Sequence, residues 1–340
     1  MEQAIQNLTP ENIATTIPND VGLVLIGRNE GARLEVSLTS LGALAARAVY
    51  VDSGSTDDSV KTAKRMGVIV VELAMDIPFT AARARNAGYA ALKSNGVESA
   101  FVQFIDGDCA VDPAWIATAR DFLLAHPTVA VACGRRRERF PYASIYNRLC
   151  DWEWNTSIGQ TAASGGDALV RAAAFESVGG FRNDVIAAED DELCVRLGKA
   201  GWSIWRLDAD MTLHDANITR FSQWWRRAER AGHGFAQVGA IHPEHFRAQR
   251  QRMWFWGSIL PVIAVVGLFV NPWITLGAVS LYPISCARVS LRFIRQGFPL
   301  REALFAGLLL TLSKFCNFKG ALTYWVRRAC GRATTIIEYK

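Results

Sequence analysis

Three short apolar runs, each ending at a carboxylate, set the strongest limit on how this chain folds. Val21-Gly-Leu-Val-Leu-Ile26 leads to Arg28-Asn-Glu30, Ala48-Val-Tyr-Val51 to Asp52, and Phe101-Val-Gln-Phe-Ile105 to Asp106-Gly-Asp108. Apolar runs of this length without polar alternation read as strands covered on both faces. Helical spacing fills the gaps, as at Leu34, Leu38, Leu41 and Leu44. With further strands at 68–71 and 129–133, strand and helix alternate from residue 21 to 133. That alternation predicts an α/β fold with a doubly wound, mostly parallel sheet and flanking helices. Such sheets bind ligands beyond the carboxyl ends of their strands, so Glu30, Asp52, Asp106 and Asp108 fall along one rim.

The residue types at that rim suggest chemistry. Asp106 and Asp108, one glycine apart, can reach a single hard cation; Mg²⁺ or Mn²⁺ suits oxygen ligands and keeps substrate phosphates in its shell. An ordinary strand-to-turn exit accounts for the same residues, since Asp and Gly form turns. Asp52 can accept hydrogen bonds from ribose hydroxyls or a base amide, and Ser55 or Thr56 is expected to cap a helix beginning near Asp57. A helix over 79–92 carries Arg83 and Arg85, either of which suits a phosphate or a carboxylate. The turn Gly27-Arg-Asn-Glu-Gly31 is not GxGxxG and no GxxxxGK[ST] occurs, so a dinucleotide fingerprint and a P-loop are both missing. Residues 135–160 are basic and then aromatic, and read either as an insertion shaping an acceptor site or as an interdomain or membrane-facing surface. Ala188-Glu-Asp-Asp-Glu-Leu193 opens a helix with four consecutive acids. That exceeds what the helix dipole needs, and one of them suits a general base. His214, in a loop after a strand at 202–207, is a candidate third metal ligand.

The far end of the chain has another character. The chain carries +5 overall, yet residues 247–340 hold 13 Lys and Arg against two acids, a net of +11 that leaves −6 for the rest. Trp254–Ala287 contains no charged residue across 34 positions. One spanning helix takes about 20 residues, so the run is long for one and short for two. Asn271-Pro272 near its middle suggests a hairpin of short or re-entrant helices. Basic residues at both ends place those ends on the cytoplasmic side. Residues 303–325, interrupted by Lys314 and Lys319, read as an interfacial helix or a tilted last span. The expected layout is an arm over 1–20, a catalytic domain over 21–246 and a membrane-associated helical tail over 247–340. The arm is polar and lacks the order of a secretory signal. Seven scattered cysteines without a CxxC pair favour reduced thiols in a cytosolic compartment.

Taken in order, the motifs resemble a known family. They run Asn29-Glu30, Val51-Asp52-Ser-Gly-Ser-Thr-Asp57, Arg85-Asn86-Ala-Gly88, Asp106-Gly-Asp108, Gly165-Gly166, Val178-Gly-Gly-Phe181, Glu189-Asp190, Leu193, Arg196-Leu197 and Gly201-Trp202. The set resembles a family-2 inverting glycosyltransferase of the Rossmann-like GT-A fold, over about residues 21–215. The resemblance implies a nucleotide-diphosphate sugar as donor and a divalent cation, Mg²⁺ or Mn²⁺, as cofactor. By that likeness Glu30 and Asp52 hold the nucleoside, Arg85, Gly165, Gly166 and Glu189 line the substrate site, and Asp106 with Asp108 meets the metal. Asp190 matches the base, with Asp191 its rival because the doubled aspartate blurs the register. Gln223-Trp-Trp-Arg226 resembles the QxxRW motif of processive synthases only loosely. The expected enzyme works on the cytoplasmic face of the membrane, with a lipid-linked acceptor, in polysaccharide or glycolipid synthesis, and without nucleic acid as a partner. Alternatives are a soluble or protein acceptor, and a membrane-bound nucleotide-sugar binder that does not turn over.

Overall fold

A computed structural model describes residues 19–332 and Ile337. Most of the expected N-terminal arm, up to residue 18, lies outside the described residues. The first half alternates as its apolar runs require: Val21–Gly27 (β1), Ala32–Ser40 (α1), Ala48–Asp52 (β2), Ser59–Arg65 (α2), Ile69–Glu72 (β3), Ala81–Ser94 (α3) and Phe101–Asp106 (β4). These four strands pair in parallel in the order β3-β2-β1-β4. β1 and β2 are buried almost throughout, which explains their lack of polar alternation.

Cys109–Val111 (β5), Trp115–Ala125 (α4), Val129–Glu138 (β6), Ile145–Glu153 (α5), Gly159–Thr161 (β7), Ala168–Arg171 (β8), Ala172–Ser177 (α6), Glu189–Lys199 (α7) and Ser203–His214 (β9) complete a nine-stranded sheet. β8 runs antiparallel between β4 and β6, β9 lies parallel to β6, and β5 and β7 pair antiparallel with β9. The sheet is therefore parallel through its first four strands and mixed beyond them. Trp115, fully buried against it, donates its indole N–H to Gln103 Oε1 at 2.8 Å, which satisfies the amide of β4 in the core.

Local expectations need correction in three places. Neither Ser55 nor Thr56 caps α2, which starts at Ser59 after Asp58 and has no side-chain cap. Arg135-Arg-Arg137 does not break away as an insertion, because β6 carries straight on to Glu138 through register shifts against β9. Such shifts re-aim side chains, and the arginines find acidic partners far away in sequence. His214 is the last residue of β9, not a loop residue.

The tail is helical: Phe221–Ile241 (α8), Arg247–Trp254 (α9), a π-helical turn over Phe255–Ile259, Leu260–Val270 (α10), Pro272–Arg295 (α11) and Leu300–Ala329 (α12). The hairpin turns at Asn271, whose side chain accepts the Trp273 N–H while Pro272 fills the first helical position. Two stretches, Arg247–Val270 and Pro272–Arg295, are long and apolar enough to cross a membrane. α12 packs along α8, and at their crossing the two backbones touch. A methyl group at Gly320 would overlap the Glu229 carbonyl, and one at Gly232 the backbone of Asn317.

Candidate active site

The loops after β1 and β2 are knitted into one wall of the rim. Asn29, at φ 56°, accepts the Thr56 N–H at 2.7 Å through its side chain and donates its own N–H to Ser55 Oγ at 2.9 Å. Ser59 Oγ accepts the N–H groups of Glu30 and Gly31, both at 3.1 Å. Asp52 is buried and satisfied within its own loop. It accepts N–H groups from Gly54 and Ser55, and hydroxyls from Ser55 and Tyr50. Its carboxylate shapes this turn. Glu30 pairs with Arg33 at 3.0 Å.

Asp106, at the end of β4, is the hub of an ionic network. Its Oδ1 accepts from Arg85 and its Oδ2 from Arg136, both at 2.8 Å, and its N–H donates to Asp167 Oδ1 at 2.9 Å. Asp167 Oδ2 in turn accepts from Arg136 and from Thr212. Burial would raise the Asp106 carboxyl, but Arg85 and Arg136 hold it well below the usual range. Arg85 is itself buried and bridges to Glu189 at 2.5 Å. The chain closes over this bridge at Gly166, where a Cβ would stand 2.6 Å from the Arg85 guanidinium and 3.2 Å from Asp106 Oδ2. A glycine is required there by the close approach. Gly165 lies beside it, its would-be Cβ 4.0 Å from Asp190 Oδ2.

Asp108 and His214 face each other, with Asp108 Oδ1 and His214 Nε2 3.4 Å apart; the opposite ring nitrogen lies 3.7 Å from buried Glu138. Burial, then Arg136, depresses His214 far below the ordinary histidine value, so the ring is neutral and keeps a lone pair. Burial pushes Glu138 up to about 7. Asp108, Cys109 and His214 bring ligand atoms within 4.8 Å of one another. A carboxylate opposite a neutral imidazole suits a divalent cation such as Mn²⁺. Asp106 differs, since both of its oxygens already serve arginines.

The four acids at the start of α7 have unequal surroundings. Glu189 pairs with Arg85, Asp191 with His245 at 3.1 Å, and Glu192 with Arg196 at 2.7 Å and His242 at 3.1 Å. Asp190 has no ion-pair partner among the described residues; it accepts one backbone N–H, from Asp191 at 2.9 Å. Burial, then the charges of Glu189 and Asp191, push its carboxyl up to about 7. The helix is entered through Ala188 in the left-handed conformation, φ 60°, which costs a non-glycine residue about 1–2 kcal/mol. Strain of this kind persists where surrounding packing imposes it.

The rim thus brings Glu30, Arg85, Asp106, Asp108, Gly166, Glu189, Asp190 and His214 to one end of the sheet. Arg83 stays on the helix surface, bonding the carbonyls of Ile77 and Ala74. Sequence reading misses Asp167, Arg136, Glu138 and Ser59. Asp167 directly follows the Gly165-Gly166 pair, a usable signal; Arg136 and Glu138 are hidden because they sit in a strand that looks like a loop.

Residues 23–171 match the family model described as Glycosyl transferase family 2. A succinoglycan biosynthesis protein, ExoA, from Rhizobium meliloti is 30% identical over 213 residues, 58% of this chain and 64% of that protein. The pre-mycofactocin glycosyltransferase of Mycobacterium tuberculosis is 27% identical over 241 residues, 66% of this chain and 48% of that protein. The chain therefore spans less than two thirds of the length of either relative. Among solved structures, the mannosyltransferase PcManGT from Pyrobaculum calidifontis, in complex with GDP-Man and Mn²⁺, superposes with a TM-score of 0.58. It is 18% identical, and the match covers 90% of this chain and 87% of that one. That likeness concerns the fold. Residues 23–171 thus carry the match to glycosyl transferase family 2, and the chain as a whole shares the mixed α/β GT-A architecture.

Proposed function

We propose that this protein transfers a sugar, with inversion, from a nucleotide-diphosphate sugar to a lipid-linked acceptor at the cytoplasmic face of a membrane. The observation that carries the reading is the isolation of Asp190. Glu189 pairs with Arg85, Glu192 with Arg196, and Asp191 faces His245, while Asp190 has no ion-pair partner among the described residues and a raised pKa at the rim. A general base works best when its pKa lies near the operating pH. Asp190 takes the proton of the acceptor hydroxyl as the new glycosidic bond forms on the face opposite the departing nucleotide diphosphate. Arg85 and Glu189 keep Asp106 and the Gly165-Gly166 segment in place around the donor, and Glu30 and Asp52 shape the nucleoside wall. Asp108 and His214 would hold a divalent cation, Mg²⁺ or Mn²⁺, with Asp106 beside them. When bound, that cation supplies positive charge to a diphosphate leaving group.

We also assign residues 21–246 to catalysis and 247–340 to membrane association. The exposed apolar surface of α10 and α11, including Phe269, Val270 and Trp273, supports this division. Arg247, Arg250 and Arg252 before the hairpin and Arg288, Arg292 and Arg295 at its end favour the cytoplasmic side for both.

The test is a pair of conservative variants. Asp190→Asn should lose transfer by about 10²-fold or more, the range expected for removing a general base, and should keep its affinity for the donor. Asp191→Asn should lose far less. An active Asp190→Asn alongside a dead Asp191→Asn would move the base by one residue. A wild-type chain that binds nucleotide sugars yet turns none over would make it a binding protein.

A further inference from the structure

The turn joining α8 to α9 links the acidic helix to a groove that the site above leaves unused. His242 bonds Glu192 and His245 bonds Asp191, and α9 begins two residues later. Arg247, Arg250, Gln251 and Trp254 stand at i, i+3, i+4 and i+7, one face of the helix running from α9. That face lines an open groove of about 380 Å³, completed by Ile259 of the π turn and Trp325 of α12. From Arg247 to Ile259 the helix rises about 18 Å, so the groove is basic in its first turn and apolar along the rest.

Its basic end is anchored on α8. The Arg250 Nε–H is buried and has no acceptor among the described residues, although another guanidinium nitrogen bonds the Pro243 carbonyl. Gly239 on α8 makes room for that guanidinium, since a Cβ there would stand 2.5 Å from Nε. No carboxylate lines the groove among the described residues. Its apolar end continues into the exposed helices α10 and α11. A ligand matching both ends has an anionic phosphate head and a hydrocarbon chain.

We infer that this groove holds the phosphate end of the lipid carrier, with Arg247 and Arg250 on the phosphate and the chain passing Trp254, Ile259 and Trp325 toward the bilayer. This rests on the lipid-linked acceptor proposed above. Position supports it. His245 touches Asp191, the neighbour of the proposed base, and the Cα of Arg247 lies within about 8 Å of that of His245, at 3.8 Å per residue. The basic end of the groove therefore lies near the start of α7, the helix that carries the proposed base.

The full chain is placed in phosphatidylcholine nanodiscs doped with a polyprenyl monophosphate bearing a photoreactive group on its chain. The crosslink should map to peptides containing Trp254, Ile259 or Trp325. Affinity for the unmodified polyprenyl phosphate should fall about tenfold or more in Arg247→Gln/Arg250→Gln, the loss expected when charge-assisted hydrogen bonds go. The Lys double variant should recover part of it, and Arg295→Gln, outside the groove, should bind as wild type does. The crosslink map uses the wild-type chain and so stands even if the Gln variant fails to fold. Crosslinks elsewhere, equal affinity in the Gln variant, equal competition by phosphatidylglycerol, or saturation by inorganic phosphate alone would each overturn the site. Donor turnover without lipid-phosphate binding removes this site and leaves the transferase. Lipid-phosphate binding without donor turnover does the reverse.

Discussion

Burying a carboxylate without a counter-cation raises its proton affinity, and at Asp190 that shift has two measurable consequences. The base must be ionised to act, so kcat/KM should decline about tenfold per pH unit below about pH 7. Asp191 contributes a like charge, and Asp191→Asn should move this acid limb to lower pH. The second consequence concerns stability. An unfolded aspartate releases its proton near pH 4, whereas the folded chain keeps it up to about pH 7. Between these values the native state binds the extra proton, so this group's contribution weakens as pH rises, and the full cost is present above pH 7. Asp190→Asn removes that cost. Its melting temperature should exceed the wild type's by a few degrees at pH 8 and match it at pH 4; equal melting at both would show that Asp190 is well solvated. Gly166 presents the opposite case, a residue with no side chain that sets the positions of others. Gly166→Ala places a methyl 2.6 Å from the Arg85 guanidinium. Either Arg85 leaves Asp106 and Glu189 or the 165–167 segment lifts. Donor affinity should drop about tenfold or more, as for a lost buried ion-pair contact, and calorimetric titration with the donor measures it. Unchanged affinity would mean that the Arg85 bridge has no part in donor binding.

At the scale of elements, the parallel half of the sheet is legible because β1, β2 and β4 are apolar on both faces and end at acids. The second half is not, and β6 shows why. Arg135, Arg136 and Arg137 look like a solvated break, yet each is matched by an acid brought in from elsewhere: Asp151, Asp106 with Asp167, and Asp210. Charged residues in a strand are unreadable until the fold supplies their partners. The unequal roles on α7 are hidden for the same reason, since Arg85, His242 and His245 select among its acids only in three dimensions. Helix α12 raises a different point. Its charges at Lys314 and Lys319 suggest an interfacial helix or a tilted last span, and it packs on α8 through glycines, with Lys319 paired to Glu229 at 2.8 Å. Gly320→Leu forces this crossing apart. Overpacking of this kind costs about 1–3 kcal/mol or more. Limited proteolysis should cut the variant faster near the α11–α12 connection, and wild-type resistance would show that the crossing tolerates separation.

For the whole molecule, the domain and the tail are built into one another. Leu149, Trp224 and Phe293 share an apolar cluster drawn from α5, α8 and α11, and the Trp152 ring packs at a tilt against Phe293 while donating to Gln296 at 3.0 Å. Cutting the chain at residue 246 would strip α8 of its cover, so membrane attachment is better tested by changing surface chemistry than by truncation. The charge-free part of α11, residues 272–287, rises about 24 Å, short of a hydrocarbon core of about 30 Å. A hairpin of α10 and α11 that enters a bilayer leaves both of its basic ends on one side. In a bilayer the tip is then the deepest part: Leu268 is 61% exposed and Phe269 86% among the described residues. An arginine at the bilayer centre costs about 2.5–3.5 kcal/mol on insertion scales. Leu268→Arg/Phe269→Arg should therefore abolish flotation of the full chain with liposomes of mixed phosphatidylglycerol and phosphatidylcholine. The same pair of arginines at exposed positions of the catalytic surface, Lys61 and Lys93, should leave flotation intact. Flotation of the tip variant at wild-type levels would mean that the hairpin does not enter the bilayer. A wild-type chain that stays at the bottom of the gradient would remove the membrane from the proposal and leave the exposed hairpin to a protein partner.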